Sequence, residues 1–260
     1  MGERALNKLA MIAAATTVAF TVLSGVPALA RASMAAALAD PGRPEADVAR
    51  DAARKPAAVI AFAGLKRGDR VIDFIPGGGY FTRIFSGVVG PTGHVYAMVP
   101  GAAADMEAKL TQTIGEFAAQ HANVSVVITK GFDLDAPGGP VDVFWTAQNY
   151  HDLYNPLSKG APAPTSMMPL NKAVYAALKP GGVYFIIDHV APAGSGTSDT
   201  QTLHRIDPER VKADVEAAGF KFVGSSDALR NPADPHTAIV FDSSIRGHTD
   251  QFVFRFRKPG

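Results

Sequence analysis

Residues 71–80 have the sequence Val71-Ile72-Asp73-Phe74-Ile75-Pro76-Gly77-Gly78-Gly79-Tyr80, in which an apolar run meets three consecutive glycines. The apolar run predicts a short strand over Arg70–Ile75. A helix is predicted over Tyr80–Val89, because its apolar residues recur at the helical spacing i, i+3, i+4 and i+7: Phe81, Ile84, Phe85 and Val88. This strand–glycine–helix stretch decides the fold, and the rest of the chain is interpreted around it.

A glycine turn between a strand and a helix is suited to binding. Glycine permits positive φ and lets a ligand approach the backbone, and the helix that follows offers free N–H groups. Asp73 ends the strand, where it can accept hydrogen bonds from loop amides or attract a ligand cation. The alternative is a tight turn without a ligand. A G-x-G-x-x-G motif is not met, because Thr82 stands at its last position, and the absence of Gly-Lys-Ser/Thr excludes a P-loop.

Strand-like and helix-like segments alternate from residue 57 onward, which predicts a parallel sheet covered by helices. Further strands are predicted at His94–Val99, Val124–Ile128, Val141–Thr146, Val183–Asp188, Phe220–Gly224 and Gln251–Phe256, with Ile239-Val240-Phe241 as a short extension. Further helices are predicted at Ala57–Gly64, Ala102–Gln120, Met167–Leu178 and after the cap Asp207.

The order of these elements resembles the class I S-adenosylmethionine-dependent methyltransferases. The matching motifs are the acidic end of the first strand with the glycine turn, the fourth strand, the turn before the fifth strand and the approach to the sixth: Asp73 with Gly77-Gly78-Gly79, Val141–Thr146, Leu178–Gly182 and Ala217–Phe220. The combination resembles a branch of predicted bacterial methyltransferases that carry signal peptides.

The resemblance implies an α/β, doubly wound, mostly parallel seven-stranded sheet of Rossmann-like type, with the last strand antiparallel, over residues 57–260. It also implies S-adenosyl-L-methionine as the cofactor. The cofactor-binding residues that it indicates lie in the glycine turn and after the third strand: Asp73, Pro76, Gly77, Gly78, Gly79, Tyr80 and Asp133.

The sequence departs from the family pattern in two places. Ile75, followed by Pro76, stands where the family has the first glycine of the turn. The second strand ends Met98-Val99-Pro100, without the acid that usually holds the ribose hydroxyls. Asp133 matches a position near the adenine amine; Asp135 competes for that role, and both are also ordinary turn residues.

Catalytic candidates follow the fourth strand in Asn149-Tyr150-His151-Asp152. On this fold that position faces the reacting methyl group. His151 suits the uptake of a proton, because an unperturbed imidazole titrates near neutrality. Asn149 is a hydrogen-bonding candidate for the substrate, and Tyr150 an aromatic face for the sulfonium. A purely structural histidine is the alternative for His151.

Other polar groups point less directly to a site. Asp188-His189 follows the fifth strand and is a weaker candidate for the same cleft, while His204-Arg205 precedes the Asp207 cap. A metal site built from Asp234, His236, His248 and Asp250 has no supporting spacing on one element, and no metal is predicted.

Composition and the N-terminal segment indicate which partners and which compartment to expect. The 260 residues are 47% hydrophobic and 19% charged, with a net charge of +1 and no cysteine. Nothing in this balance draws the chain to nucleic acid. Residues 1–30 resemble a Sec-type signal, with Arg4 and Lys8 before the uncharged run Leu9–Leu23. That run covers about 22 Å as a helix, too short to span a bilayer, so a cleaved signal is expected rather than an uncleaved anchor.

A cleaved signal of this type predicts a periplasmic or secreted protein. Residues 31–56 are predicted to form an N-terminal helical segment, within which Pro41–Pro56 is either a solvated helix with an Arg43–Asp47 pair or a lid over the site. The predicted activity is methyl transfer to a small-molecule or protein acceptor. The alternative is a non-catalytic exported binding protein that retains the fold.

Overall fold

The computed structural model of the chain describes residues 28–100, 104–156 and 162–260. Within these ranges seven strands form one sheet. Their bounds are Arg70–Phe74 (β1), His94–Pro100 (β2), Val124–Thr129 (β3), Val141–Ala147 (β4), Leu178–His189 (β5), Lys221–Ser225 (β6) and Gln251–Arg257 (β7).

The strand order is β3-β2-β1-β4-β5-β7-β6, and β7 runs antiparallel to both of its neighbours. All other pairs are parallel, which confirms the predicted fold class. The chain winds outward from β1 in one direction and from β4 in the other, so the strand order reverses between these two strands. In sheets of this type ligands bind beyond the carboxyl ends of the strands at the reversal.

The described ranges also contain eight α-helices. Their bounds are Ala28–Leu38 (α1), Glu45–Val48 (α2), Asp51–Arg54 (α3), Pro56–Ala63 (α4), Tyr80–Val89 (α5), Ala104–Gln120 (α6), Met168–Ala177 (α7) and Pro208–Ala217 (α8). None of these helices has the length and apolar character needed to cross a bilayer. Helix α5 has the predicted bounds, because its apolar face and the flanking Gly79 and Gly90 are local signals.

Helices on both faces of the sheet bury the central strands. Val71 and Ile72, adjacent in β1, belong to two different core clusters, one on each face. On one face Trp145 stacks on Phe185 at 4.3 Å between ring centroids and meets Phe85 edge-on. This packing fixes the carboxyl ends of β1 and β4 beside each other, in the register Phe74–Thr146.

Two strand predictions differ from the structure. Strand β5 begins at Leu178, because the backbone of the expected turn pairs with the chain end: Gly181 N–H donates to the Lys258 carbonyl, and Lys258 N–H donates to the Gly182 carbonyl, both at 2.9 Å. The predicted short strand at Ile239-Val240-Phe241 is wrong, since none of these residues is in a strand. Side chains of residues 226–250, which join β6 to β7, bond the backbone of the same segment; the Asp250 carboxylate accepts from the Asn231 backbone amide at 2.8 Å.

The segment before the sheet also differs from the expectation. Pro41–Pro56 holds two four-residue helices rather than one solvated helix, and Arg43 is buried. The expected Arg43–Asp47 pair is wrong: Arg43 makes a two-pronged ion pair with Asp51, at 2.6 and 2.8 Å. Pro44 lies directly before the start of α2, and Lys55, with a left-handed φ of 43°, ends α3.

Helix α1 packs directly on α5. A Cβ built on Gly87 would lie 2.7 Å from the Ala37 Cβ, so this close approach requires glycine. Met34 and Ala37 belong to the same core cluster as α5, so α1 is part of the core although it precedes the predicted domain boundary at residue 57. Of the predicted signal at residues 1–30, only residues 28–30 lie within the described residues, at the start of α1.

A candidate cofactor site at the carboxyl ends of the first and fourth strands

The glycine turn joins β1 to α5 through left-handed backbone. Ile75, Gly77 and Gly79 have φ angles of 53°, 55° and 78°. A β-branched residue rarely adopts such an angle, which costs on the order of 1–3 kcal/mol. Two contacts hold Ile75 there: its N–H donates to the Met98 carbonyl at 2.9 Å, and its carbonyl accepts from Asn149 Nδ2 at 3.1 Å. Contacts with the neighbouring strands thus stabilise the left-handed conformation of Ile75 at a position where the family has glycine.

Gly77 and Gly78 face open space, since a Cβ built on either meets no atom within 4 Å. Gly79 differs, because a Cβ there would lie 3.1 Å from Arg83 and 3.2 Å from Ile114. Gly79 is the N-cap residue of α5. Two of the three glycines therefore leave room for a ligand, and the third is needed for the turn itself.

Asp73 is buried at the end of β1. Its carboxylate accepts a hydrogen bond from Thr82 Oγ1 at 2.6 Å and another from the Thr82 amide in the first turn of α5. Burial raises the pKa of Asp73 to about 7, against the opposing effects of the Thr82 hydrogen bonds and the positive charge of Arg54. The backbone amide that Asp73 accepts from thus lies in α5 rather than in the glycine turn, and with a pKa of about 7 this carboxyl changes charge near neutral pH.

Two arginines from the segment before the sheet reach the glycine turn. The guanidinium carbons of Arg50 and Arg54 lie 4.9 and 4.8 Å from the centre of the Tyr80 ring. Arg54 also donates to Gln148 Oε1 at 2.9 Å, across to the end of β4. The Tyr80 hydroxyl donates to Asp51 at 2.7 Å. No local pattern in the sequence indicates that these two side chains reach the site.

The same segment is tied to the turn through Arg83. Arg83 Nε donates to Asp47 at 2.8 Å, and its Nη2 donates to the Gly78 carbonyl at 2.5 Å. Residues 41–56 thus lie over the glycine turn, which is where a lid over the site is expected to lie.

These elements line a partly open cavity of about 170 Å³. Its lining combines the N-terminal arginines, the glycine turn and the end of β4: Arg50, Arg54, Asp73, Ile75, Pro76, Gly77, Gly78, Tyr80, Phe81, Ala147, Gln148 and Asn149. Six residues predicted for the site therefore meet at one cavity: Asp73, Pro76, Gly77, Gly78, Tyr80 and Asn149.

The remaining predicted residues do not line this cavity. Tyr150 is fully buried in the core, where its hydroxyl accepts from Asn171 Nδ2 at 2.9 Å, so its ring packs against protein. Asp133 is exposed in the turn after β3. Of the weaker pair at the end of β5, Asp188 is fully buried and His189 bonds Thr249 at 2.7 Å.

His151 is buried beside two carboxylates. Its Nδ1 lies 2.7 Å from Asp188 Oδ1, and its Nε2 lies 3.2 Å from Asp152 Oδ1. Burial alone would lower the pKa of His151, but Asp188 and Asp152 outweigh it and raise the pKa to about 10. The expectation of an imidazole that titrates near neutrality is corrected, since both ring nitrogens already have partners.

No protein-family model and no curated protein sequence matches the chain. Among solved structures, a SAM-dependent methyltransferase from Aquifex aeolicus aligns with 78% of this chain and 88% of its own, at 18% identity and a TM-score of 0.53.

Two further structures align over a similar length. A putative sarcosine dimethylglycine methyltransferase from Galdieria sulphuraria covers 80% of this chain and 85% of its own, at 14% identity and a TM-score of 0.55. The [4+2]-cyclase SpnF covers 80% and 82%, at 18% identity and a TM-score of 0.57. At these identities the likeness concerns architecture: the chain has the Rossmann-like fold found in SAM-dependent methyltransferases.

Proposed function

We propose that the chain binds S-adenosyl-L-methionine beside the glycine turn and transfers its methyl group to a small-molecule or protein acceptor. The observation that carries this proposal is the cavity at the β1–β4 reversal. Six residues predicted for the site line it, and Gly77 and Gly78 leave open space above the backbone. Polar backbone groups at the start of α5 add a favourable field for a carboxylate.

The charges around the cavity suit the amino-acid end of the cofactor. A zwitterion carries a carboxylate and an ammonium group. Arg50 and Arg54 offer planar donors for the carboxylate. Asp73 offers an acceptor for the ammonium group, and that positive charge would favour the ionised form of Asp73.

The cavity is smaller than the usual pocket for a cofactor. Pockets for small molecules and cofactors usually have volumes of roughly 300–1,000 Å³. The 170 Å³ present here holds only part of an adenosyl compound. We therefore propose that Arg50 and Arg54, with the segment that carries them, move outward on binding, so that residues 41–56 act as a lid.

The acceptor side of the reaction is constrained by where the predicted catalytic residues lie. Asn149 lines the cavity, but its amide group donates to the Ile75 carbonyl. His151 and Tyr150 are buried with partners of their own. Asn149 is thus a positioning residue, and the acceptor is a group that attacks the methyl carbon without a dedicated base, such as a carboxylate, a thiolate or an unprotonated amine.

The proposed compartment is the periplasm or the exterior, after removal of a signal within residues 1–30. The support is the pattern of charged, apolar and small residues in that stretch. Mass spectrometry of the exported protein tests this. A mature mass that begins near residue 31 is expected, and the full-length mass on the exported protein would contradict a cleaved signal.

A second candidate function is ligand binding without methyl transfer. The observation that favours it is that His151 and Tyr150 are buried against Asp188 and Asn171 and do not line the cavity. The two functions are separated by calorimetry with S-adenosylmethionine and S-adenosylhomocysteine, followed by transfer of a labelled methyl group to candidate acceptors. Roughly micromolar binding with transfer supports the enzyme. Binding without transfer supports the second candidate, and no heat at millimolar ligand contradicts both.

A further inference from the structure

A cluster of metal-ligating side chains lies outside the cofactor cavity. The short 3-10 helix His151–Tyr154 follows β4, and His204 comes from the segment between β5 and α8. The chain thus brings His151, Asp152 and His204 together although His204 is distant in sequence. One ligand atom from each residue lies within 4.8 Å of the other two.

The spacing of these atoms fits a single small cation. Asp152 Oδ1 lies 3.2 Å from His151 Nε2 and 3.0 Å from His204 Nδ1. Ligand bonds to zinc are about 2.0–2.2 Å long, which places two ligand atoms on one tetrahedral ion roughly 3.0–3.5 Å apart. The remaining pair, between the two imidazoles, needs an adjustment on the order of 1 Å to meet the same ion.

The buried histidine of the cluster is oriented as a ligand. Asp188 Oδ1 lies 2.7 Å from His151 Nδ1, and the same carboxylate accepts from the backbone N–H groups of His151 and His189. A carboxylate that holds one ring nitrogen fixes the ring and directs the other nitrogen to the metal, as in carboxylate–histidine–zinc arrangements. Here the nitrogen so directed is Nε2, which faces Asp152.

The third ligand is also held in place. His204 has a φ of 55°, an uncommon angle for a residue other than glycine. Its neighbour Arg205 anchors this backbone in a fully buried ion pair with Asp234 at 2.9 Å. The ring of His204 packs edge-on against Phe241. The imidazole is therefore fixed beside Asp152 by the surrounding structure.

The cluster is open on one side. The Asp152 side chain is 47% exposed and the His204 side chain 27%. A bound ion would keep coordination positions toward solvent, where water or an oxygen of a small molecule can bind. Two imidazoles with one carboxylate favour zinc-class transition metals over Mg²⁺ and Ca²⁺, which take oxygen ligands.

We propose that His151, Asp152 and His204 form a site for one divalent transition metal ion of the zinc class, with Asp188 as the residue that positions His151. This inference stands apart from cofactor binding, because none of its residues lines the cavity at the glycine turn. Cofactor titration and metal titration can therefore fail independently.

The test is calorimetric titration of the purified, untagged full-length chain with ZnCl₂, after treatment with EDTA and removal of the chelator. MgCl₂ is titrated in parallel. One zinc ion per chain is expected, with a dissociation constant at or below the micromolar range, and no magnesium binding. His204→Ala and Asp152→Asn, both at partly exposed positions, are expected to weaken zinc binding at least about tenfold. Circular dichroism confirms that each variant is folded.

The chain offers a matched control at His236. This histidine also has a positive φ, at 62°, its side chain is 25% exposed, and its Nε2 lies 3.0 Å from Asp250. It belongs to no cluster of three such ligands within the described residues. His236→Ala is expected to bind zinc like the wild type.

Cobalt gives an independent readout, since the visible bands of bound Co²⁺ report its ligands. These bands are expected in the wild type and in His236→Ala, and are expected to be lost in His204→Ala. The proposal is overturned if the wild type binds no zinc at 100 µM, if His204→Ala and Asp152→Asn bind as tightly as the wild type, or if His236→Ala loses as much affinity as they do.

Discussion

At the scale of single residues, Asp73 is a group whose charge depends strongly on its surroundings. Its carboxyl is buried, and its pKa is raised from 3.8 to about 7. The folded chain therefore binds a proton more tightly at this position than the unfolded chain does. The contribution to stability is fully present below pH 3.8 and is lost as the pH rises through about 7.

Replacement of this carboxyl by an amide makes that loss measurable. The variant Asp73→Asn keeps an acceptor for Thr82 but cannot ionise. Between pH 4 and pH 8 the free energy of unfolding of the wild type is expected to fall by up to about 4 kcal/mol relative to the variant. The size follows because each tenfold difference in proton affinity between the folded and the unfolded chain corresponds to about 1.4 kcal/mol. Urea denaturation at both pH values measures this, and an unchanged difference would show that Asp73 is ionised throughout.

Arg54 carries the second prediction at this scale. Its guanidinium combines contacts with Tyr80 and Gln148, and we assign to it the carboxylate of the cofactor. Arg54→Ala is expected to weaken S-adenosylhomocysteine binding about tenfold or more, and Arg54→Lys by less, because a lysine retains the charge without the planar fork. Calorimetry measures both. Tighter binding by Arg54→Ala would mean that Arg54 only blocks the cavity.

At the scale of elements, the contact between α1 and α5 depends on one glycine. Gly87→Ala brings a methyl group to 2.7 Å from the Ala37 Cβ, so the helices must separate. A loss of about 1–3 kcal/mol in free energy of unfolding is expected, as for other overpacked contacts.

The matched control for this prediction is Gly115→Ala in α6, where a Cβ meets no atom within 4 Å. An alanine there is expected to stabilise the chain by up to about 1 kcal/mol, because glycine is the poorer helix former. Thermal or urea denaturation compares the two variants. Equal changes in the free energy of unfolding of the two variants would show that α1 does not pack on α5 as described.

Elements with local signals were predictable, and those set by distant contacts were not. Helix α5 follows from its apolar spacing and its flanking glycines, and the glycine turn from Gly77 and Gly78. By contrast, the early start of β5 depends on Lys258, which lies at the far end of the chain. The pairing of Arg43 with Asp51 likewise depends on the fold of this segment into two short helices, the second of which begins at Asp51.

At the scale of the whole molecule, the sheet brings the predicted residues of β1 and β4 to one edge. The turn residues and Asn149 could be placed there from the sequence, because carboxyl ends of parallel strands share an edge. The arginines could not, since Arg54 and Gln148 are 94 residues apart and meet only after the N-terminal segment folds over the sheet. The burial of Tyr150 and His151 likewise depends on contacts with Asn171 and Asp188 on other elements.

The central claim is that open space above Gly78 receives the adenosyl compound, and calorimetry on Gly78→Val tests it most directly. A valine there meets no protein atom at its Cβ and needs no positive φ, so the variant is expected to fold, and Gly115→Val serves as the control. We predict roughly micromolar binding of S-adenosylmethionine by the wild type and Gly115→Val, and at least about tenfold weaker binding by Gly78→Val. Unchanged binding by a folded Gly78→Val would contradict the account.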